Sequence, residues 1–77
     1  GAIIQTDTFI GVNSIINTGS KIDHDCNIGD HCHIAPGCVL CGHVKISDMV
    51  FLGSGSTVVP GAELKTQKFY KANSMIK

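Results

Sequence analysis

The residues best suited to chemistry lie in one histidine-rich segment. Asp25 directly follows His24, His33 lies nine residues after His24, and Gly42 lies eighteen residues after it. Histidine titrates near neutrality and is the commonest general base, and an adjacent carboxylate can orient its ring and stabilise the imidazolium. A glycine placed beside the ring would leave room for a ligand and offer an N–H to a developing oxyanion. These residue types suit acyl transfer from a thioester to an amine or hydroxyl. The alternative is that His24 is a solvated surface residue without a chemical role.

A hexapeptide repeat runs through the whole chain and sets where these residues lie. Every sixth residue from Ile4 to Ile76 is apolar, and a second column of mostly small residues follows four positions after each of them. An α-helix has a period of 3.6 residues and a strand a period of 2, so neither explains the pattern. A fixed six-residue period is typical of a parallel β-helix. Lys68 is a large charged residue in the small, inward column, so we expect a bulge or loop over 64–69.

Three hexapeptides per triangular coil predict an all-β, single-stranded parallel β-helix of about four coils in residues 1–77. Residues eighteen apart then stack, which places Gly42 on His24 and His43 on Asp25. His33 points outward from a face half a coil away, so it cannot share a site with His24 within one subunit. The two can meet between subunits packed side by side, and three prisms around an axis would hold three such sites.

The cysteines and histidines also raise the possibility of a zinc site. The spacing Cys38-x-x-Cys41-x-His43 resembles a zinc motif, and structural zinc needs four converging ligands. The coil sends Cys26, Cys32 and Cys38 inward on different faces, whereas the histidines point outward. We therefore expect no metal, and we expect the inward thiols to be buried and reduced.

Composition and charge narrow the range of partners. The net charge is zero, which gives no reason to expect nucleic acid or an anionic membrane as a partner. The sequence contains no signal peptide and no apolar run long enough to span a bilayer. Together with reduced cysteines, these features predict a cytoplasmic location.

Several motifs resemble those of a known enzyme family. The motifs are Asn17-Thr18-Gly19 and His24-Asp25, then His33, which lies nine residues after His24 and is followed by Pro36-Gly37, and finally Gly42-His43. In this pattern the chain resembles the hexapeptide acyltransferases. Among them it is most similar to the sialic-acid O-acetyltransferases and the N-acetyltransferases of nucleotide-linked 4-amino sugars.

This resemblance implies a left-handed β-helix that forms a homotrimer and binds acetyl-CoA between neighbouring prisms. It implies that His24 is the catalytic base, that Asp25 polarises it, and that Asn17 helps to hold a sugar. It also implies that His33 and the Gly42 N–H contact the thioester region of acetyl-CoA. The expected enzyme is thus an acetyl-CoA-dependent sugar N- or O-acetyltransferase.

The apolar column is already running at Ile4 and still running at Ile76, and no polar cap closes either end. We interpret residues 1–77 as the β-helix part of a longer protein. The family's N-terminal sugar-nucleotide domain and C-terminal tail would then lie outside it, and the isolated chain would be inactive. The alternative function is a non-catalytic β-helix scaffold for oligomerisation or binding, which would tolerate loss of His24.

Overall fold

The computed structural model describes residues 1–65 and 68–77, and within them the chain forms short strands joined by tight turns. The strands are β1 (Ile3–Ile4), β2 (Phe9–Ile10), β3 (Ile15–Ile16), β4 (Lys21–Ile22), β5 (Asn27–Ile28), β6 (His33–Ile34), β7 (Val39–Leu40), β8 (Lys45–Ile46), β9 (Phe51–Leu52), β10 (Thr57–Val58), β11 (Glu63–Leu64), β12 (Phe69–Tyr70) and β13 (Met75–Ile76). Residues 1–65 and 68–77 contain no helix that could cross a membrane.

Each strand pairs in parallel with the strand three positions further along the chain. The register joins residues eighteen apart, as in Ile22 with Leu40. The pairing produces sheet 1 (β1, β4, β7, β10 and β13), sheet 2 (β2, β5, β8 and β11) and sheet 3 (β3, β6, β9 and β12). The chain is therefore an all-β, left-handed parallel β-helix of about four triangular coils, which confirms the predicted fold.

The apolar column forms the core of the prism. In each strand the second residue points inward and the first points outward, because side chains alternate along a strand. The inward residues of the middle coils, such as Ile22, Leu40 and Val58, are completely buried. Burial of this column along the helix axis stabilises each coil against the next.

The small column has a role that the sequence did not indicate. Ser20 Oγ donates to the Ala35 carbonyl oxygen at 3.0 Å, and Cys38 Sγ donates to that of Gly53 at 3.2 Å, fifteen residues ahead in both cases. Cys26 and Cys32 make the same type of contact. The buried thiols thus satisfy backbone carbonyls as serine does, and burial raises the pKa of Cys26 and Cys38.

Every turn within residues 1–65 and 68–77 places one residue in the left-handed region of φ, and these residues lie at multiples of six positions from one another. Glycine occupies some of these positions, including Gly37 at +74°. Others hold Asp25 at +58°, His31 at +57° and His43 at +62°. Aspartate and histidine are among the non-glycine residues that tolerate this conformation best. The repeated φ value stacks Asp25 and His43 in the same orientation on successive coils.

The bulge or loop expected over 64–69 would keep the ammonium group of Lys68 out of the apolar core, where an unpaired charge is strongly disfavoured. Lys68 is exposed. Residues 66 and 67 lie outside the described residues, so the bulge stays a prediction.

Candidate active site

The turn after β4 holds a histidine flanked by two carboxylates. Asp23 Oδ1 accepts a hydrogen bond from the His24 backbone N–H at 2.7 Å, which fixes the start of the turn. Asp25 Oδ2 lies 2.9 Å from His24 Nδ1, and because a carboxylate can only accept, the ring nitrogen donates. This hydrogen bond, together with the charges of Asp23 and Asp25, raises the pKa of His24. The lone pair of the neutral ring is therefore on Nε2, the nitrogen that a base would use.

Gly42 lies directly against the His24 ring, as the eighteen-residue spacing predicted. A Cβ atom at Gly42 would lie 3.0 Å from His24 Cε1 and 3.1 Å from Nε2. Gly29 and Gly53, by contrast, would bring a Cβ against backbone atoms of the next coil. The missing side chain at Gly42 thus keeps the reactive edge of the imidazole open.

The backbone N–H of Gly42 has no hydrogen-bond acceptor among residues 1–65 and 68–77. At the equivalent positions of four other turns, a side-chain oxygen accepts from this group, as Asp23 does for His24 and Asn17 does for Thr18. Cys41 precedes Gly42 and carries no such oxygen, and Pro60 occupies the stacked position one coil later. The sequence around Gly42 therefore leaves one N–H beside the histidine without a partner.

His43 also belongs to this corner of the prism. Its ring packs edge-on against His24, with centroids 5.2 Å apart and an interplanar angle of 88°. Its backbone N–H donates to the His24 carbonyl oxygen at 3.1 Å. The sequence placed His43 beside Asp25, but the side chain of Asp25 accepts a hydrogen bond from His24.

The other two predicted site residues lie elsewhere on the prism. His33 belongs to β6, on the outside of sheet 3, where its ring lies 4.8 Å from that of Phe51. Asn17 follows β3 at the corner between sheets 3 and 1, and its Oδ1 accepts from Thr18 N–H at 2.7 Å. One chain therefore brings His24, Asp25 and Gly42 together but separates them from His33 and Asn17.

An open groove of about 220 Å³ runs along the outside of sheet 1 beside the His24 turn. Its walls include Ile3, Lys21, Asp23, Val39 and Cys41. Asp23 and Cys41 directly precede His24 and Gly42 in the chain, so the groove lies next to the candidate base, although His24 and Gly42 are not part of its walls. A groove with apolar walls and a few polar groups is the usual form of a small-molecule site.

Replacing Gly42 with alanine tests whether the open edge of His24 matters. The new methyl group would crowd Cε1 and Nε2, and the ring would have to turn away from its position against the Gly42 N–H. We expect acyl transfer by Gly42→Ala to fall by roughly tenfold or more, because small displacements of a catalytic group are costly. The circular dichroism spectrum should not change, since the crowded atoms are at the end of an exposed side chain. Unchanged kcat and KM would show that this edge is not used.

The comparisons with known proteins agree with the repeat fold. Residues 7–42 match the family described as bacterial transferase hexapeptide (six repeats). This part of the chain is thus similar to hexapeptide-repeat transferases, as the repeat and motifs predicted.

Its relatives are named as acyltransferases. The chain is 41% identical over 58 residues to a GDP-perosamine N-acetyltransferase from Escherichia coli O157:H7, covering 75% of this chain and 26% of that protein. It is 37% identical over 60 residues to an acyl-[acyl-carrier-protein]–UDP-N-acetylglucosamine O-acyltransferase from Aliarcobacter butzleri (strain RM4018), covering 78% of this chain and 23% of that protein. The enzyme of the same name from Helicobacter pylori (strain Shi470) is 41% identical over 46 residues, which are 60% of this chain and 17% of that protein. The chain therefore spans about a quarter or less of the length of these relatives.

Proposed function

We propose that this chain is the β-helix portion of a cytoplasmic, acetyl-CoA-dependent acetyltransferase that acts on the amine or hydroxyl of a nucleotide-linked sugar. One observation carries the proposal. His24 donates from Nδ1 to Asp25 at 2.9 Å, and this leaves Nε2 free beside Gly42. The named activities of the relatives, N-acetyltransferase and O-acyltransferase, support the same reaction class and the sugar acceptor.

The reaction is direct transfer between two bound substrates. The acceptor nitrogen or oxygen attacks the thioester carbonyl carbon, and His24 Nε2 removes the acceptor proton as the new bond forms. Asp25 stabilises the imidazolium through the Nδ1 hydrogen bond. The carbon–sulfur bond then breaks, and the proton passes from His24 to the leaving thiolate. The products are the acetylated sugar and free CoA, and no enzyme thiol takes part.

The partnerless N–H of Gly42 is the donor we assign to the developing oxyanion. An N–H without a competing acceptor needs no rearrangement before it binds the thioester oxygen, which is the property that makes an oxyanion hole effective. The groove on sheet 1 leads to this point and has apolar walls at Ile3 and Val39. We propose that it receives the substrates next to His24.

The site is completed by a second subunit of a homotrimer. We propose that sheet 3 of one subunit faces sheet 1 of the next, which brings His33 and Asn17 of one chain towards His24 of its neighbour. The outward column of sheet 3 supports this arrangement, because Ile15, Phe51 and Phe69 are exposed apolar residues that line up with His33. His33 would then contact acetyl-CoA. Asn17 would hold the sugar through its amide NH₂, since its Oδ1 already binds Thr18.

The experiment that tests this function is a mass-spectrometric assay for acyl transfer. The protein is incubated with acetyl-CoA or an acetylated acyl carrier protein, each with UDP- and GDP-linked amino sugars and with free sialic acid. Mass detection avoids thiol reagents, which would also react with cysteines of the chain. We expect an acetylated nucleotide sugar with acetyl-CoA as donor. Because residues 1–77 alone are expected to be inactive, the assay is run on the longer protein that contains them, and no product from its assembled trimer with either donor would favour the scaffold function instead.

A further inference from the structure

The corner that holds the candidate base also gathers a set of metal-binding groups. His24, Asp25 and His43 each offer a ligand atom, and these atoms all lie within 4.8 Å of one another. The stacking of two turns creates the cluster, since His43 lies one coil above Asp25 with nearly the same φ. All three side chains are exposed, so a hydrated ion can reach them.

The chemistry of the three groups fits a divalent transition-metal ion. Two imidazoles and one carboxylate are common ligands of Zn²⁺, with the remaining position filled by water or substrate. His24 Nδ1 lies 2.9 Å from Asp25 Oδ2, so an ion that replaces the proton between them meets a nitrogen and a carboxylate oxygen at once.

We infer that the His24–Asp25–His43 cluster binds one Zn²⁺ ion per chain and that the bound ion inhibits acyl transfer. The ion takes Nδ1 of His24 in place of the proton shared with Asp25. That proton then resides on Nε2, so the ring has no lone pair with which to accept the proton of the acceptor sugar. Such a site is regulatory and contributes nothing to the transfer step itself. The inference that zinc binds depends only on the cluster, whereas the inference that zinc inhibits rests on the proposed function.

Cysteine is the competing ligand for zinc in this chain. Cys26, Cys32 and Cys38 are buried and donate to carbonyl oxygens, so they face away from the cluster's solvent side. Cys41 is half-buried and lies two residues before His43, which makes it the thiol to exclude by experiment.

Isothermal titration of the trimer with Zn²⁺ in chelator-free buffer tests the site. We expect saturable binding of one ion per chain and a loss of affinity of roughly tenfold or more in His43→Asn. Asparagine tolerates the left-handed turn conformation, so this change removes the ligand with little backbone strain. The matched control is His31→Asn, an exposed histidine at the same turn position of another corner, and Cys41→Ser controls for the thiol. Both controls should bind Zn²⁺ like the wild type.

Activity measurements separate this inference from the proposed function. Zn²⁺ should inhibit acetyl transfer, EDTA should restore it, and His43→Asn should need at least tenfold more Zn²⁺ for the same inhibition. Two results in an active protein would overturn the metal site and leave the proposed function intact. The first is a lack of saturable Zn²⁺ binding, and the second is Zn²⁺ binding that is lost in Cys41→Ser and kept in His43→Asn. If the protein binds one Zn²⁺ per chain through His43 but transfers no acetyl group after EDTA treatment, the proposed function is overturned and the zinc site at the cluster remains supported.

Discussion

His24→Gln is expected to lower kcat for acetyl transfer by about 10²- to 10⁴-fold, the range that general-base catalysis contributes. Glutamine is polar and similar in reach, but it has no nitrogen that can accept a proton at neutral pH. The KM for acetyl-CoA should change little, because the assigned donor contacts come from Gly42 and His33. A loss confined to kcat marks an interaction made in the transition state.

The neighbouring carboxylate and a distant histidine provide the comparison for this variant. Asp25→Asn should lose less activity than His24→Gln, because the ring remains but its Nδ1 partner no longer stabilises the imidazolium. His31→Asn should have wild-type rates, since His31 is exposed on another corner of the prism. Full activity in His24→Gln would eliminate the base and favour the scaffold function.

Phe69→Lys and Phe51→Lys are expected to dissociate the trimer and abolish activity with it. The Phe51 and Phe69 rings stack at 5.1 Å on the outside of sheet 3, and Phe69 is 67% exposed in the single chain. Covering such a side chain with a neighbouring subunit contributes up to about 1.5–3 kcal/mol, and each interface loses that contribution in these variants. A lysine would also place a poorly paired charge in the contact.

Light scattering measures this effect, and Phe9→Lys is the matched control. Phe9 is 62% exposed on the outside of sheet 2, the face that we leave free in the trimer. All three variants change outward residues, so their circular dichroism spectra should match that of the wild type. A trimer that survives in Phe69→Lys and Phe51→Lys but not in Phe9→Lys would move the interface to sheet 2.

The fold could be predicted from the sequence because a β-helix repeats one local rule. The column from Ile4 to Ile76 fixes the coil length, and the coil length fixes every stacked pair, including Gly42 on His24. The repeat leaves open only what the individual side chains do within that frame. At Lys68 an unbroken repeat conflicts with the cost of burying a charge, and the residue is exposed.

The features of the site that the sequence did not predict depend on contacts between side chains, or on the lack of a hydrogen-bond acceptor. The ring contact of His43 with His24 arises from rotamers, which the spacing does not determine. The partnerless N–H of Gly42 follows from the absence of a capping oxygen at Cys41 and Pro60, a signal that the sequence did contain. His33, Phe51 and Phe69 are eighteen residues apart in the sequence, but the contacts between their rings depend on rotamers that the repeat does not determine.

Complementation between two inactive variants tests the central claim of a shared site most directly. Chains carrying His24→Gln and chains carrying His33→Ala are co-expressed with different tags, and mixed trimers are purified through both. If His24 of one subunit works with His33 of the next, every mixed trimer contains one complete site out of three, because a ring of both chain types has one interface at which both residues are intact. We therefore expect acetyl transfer well above that of either parent trimer. Mixed trimers that are no more active than their parents would contradict a site built between subunits.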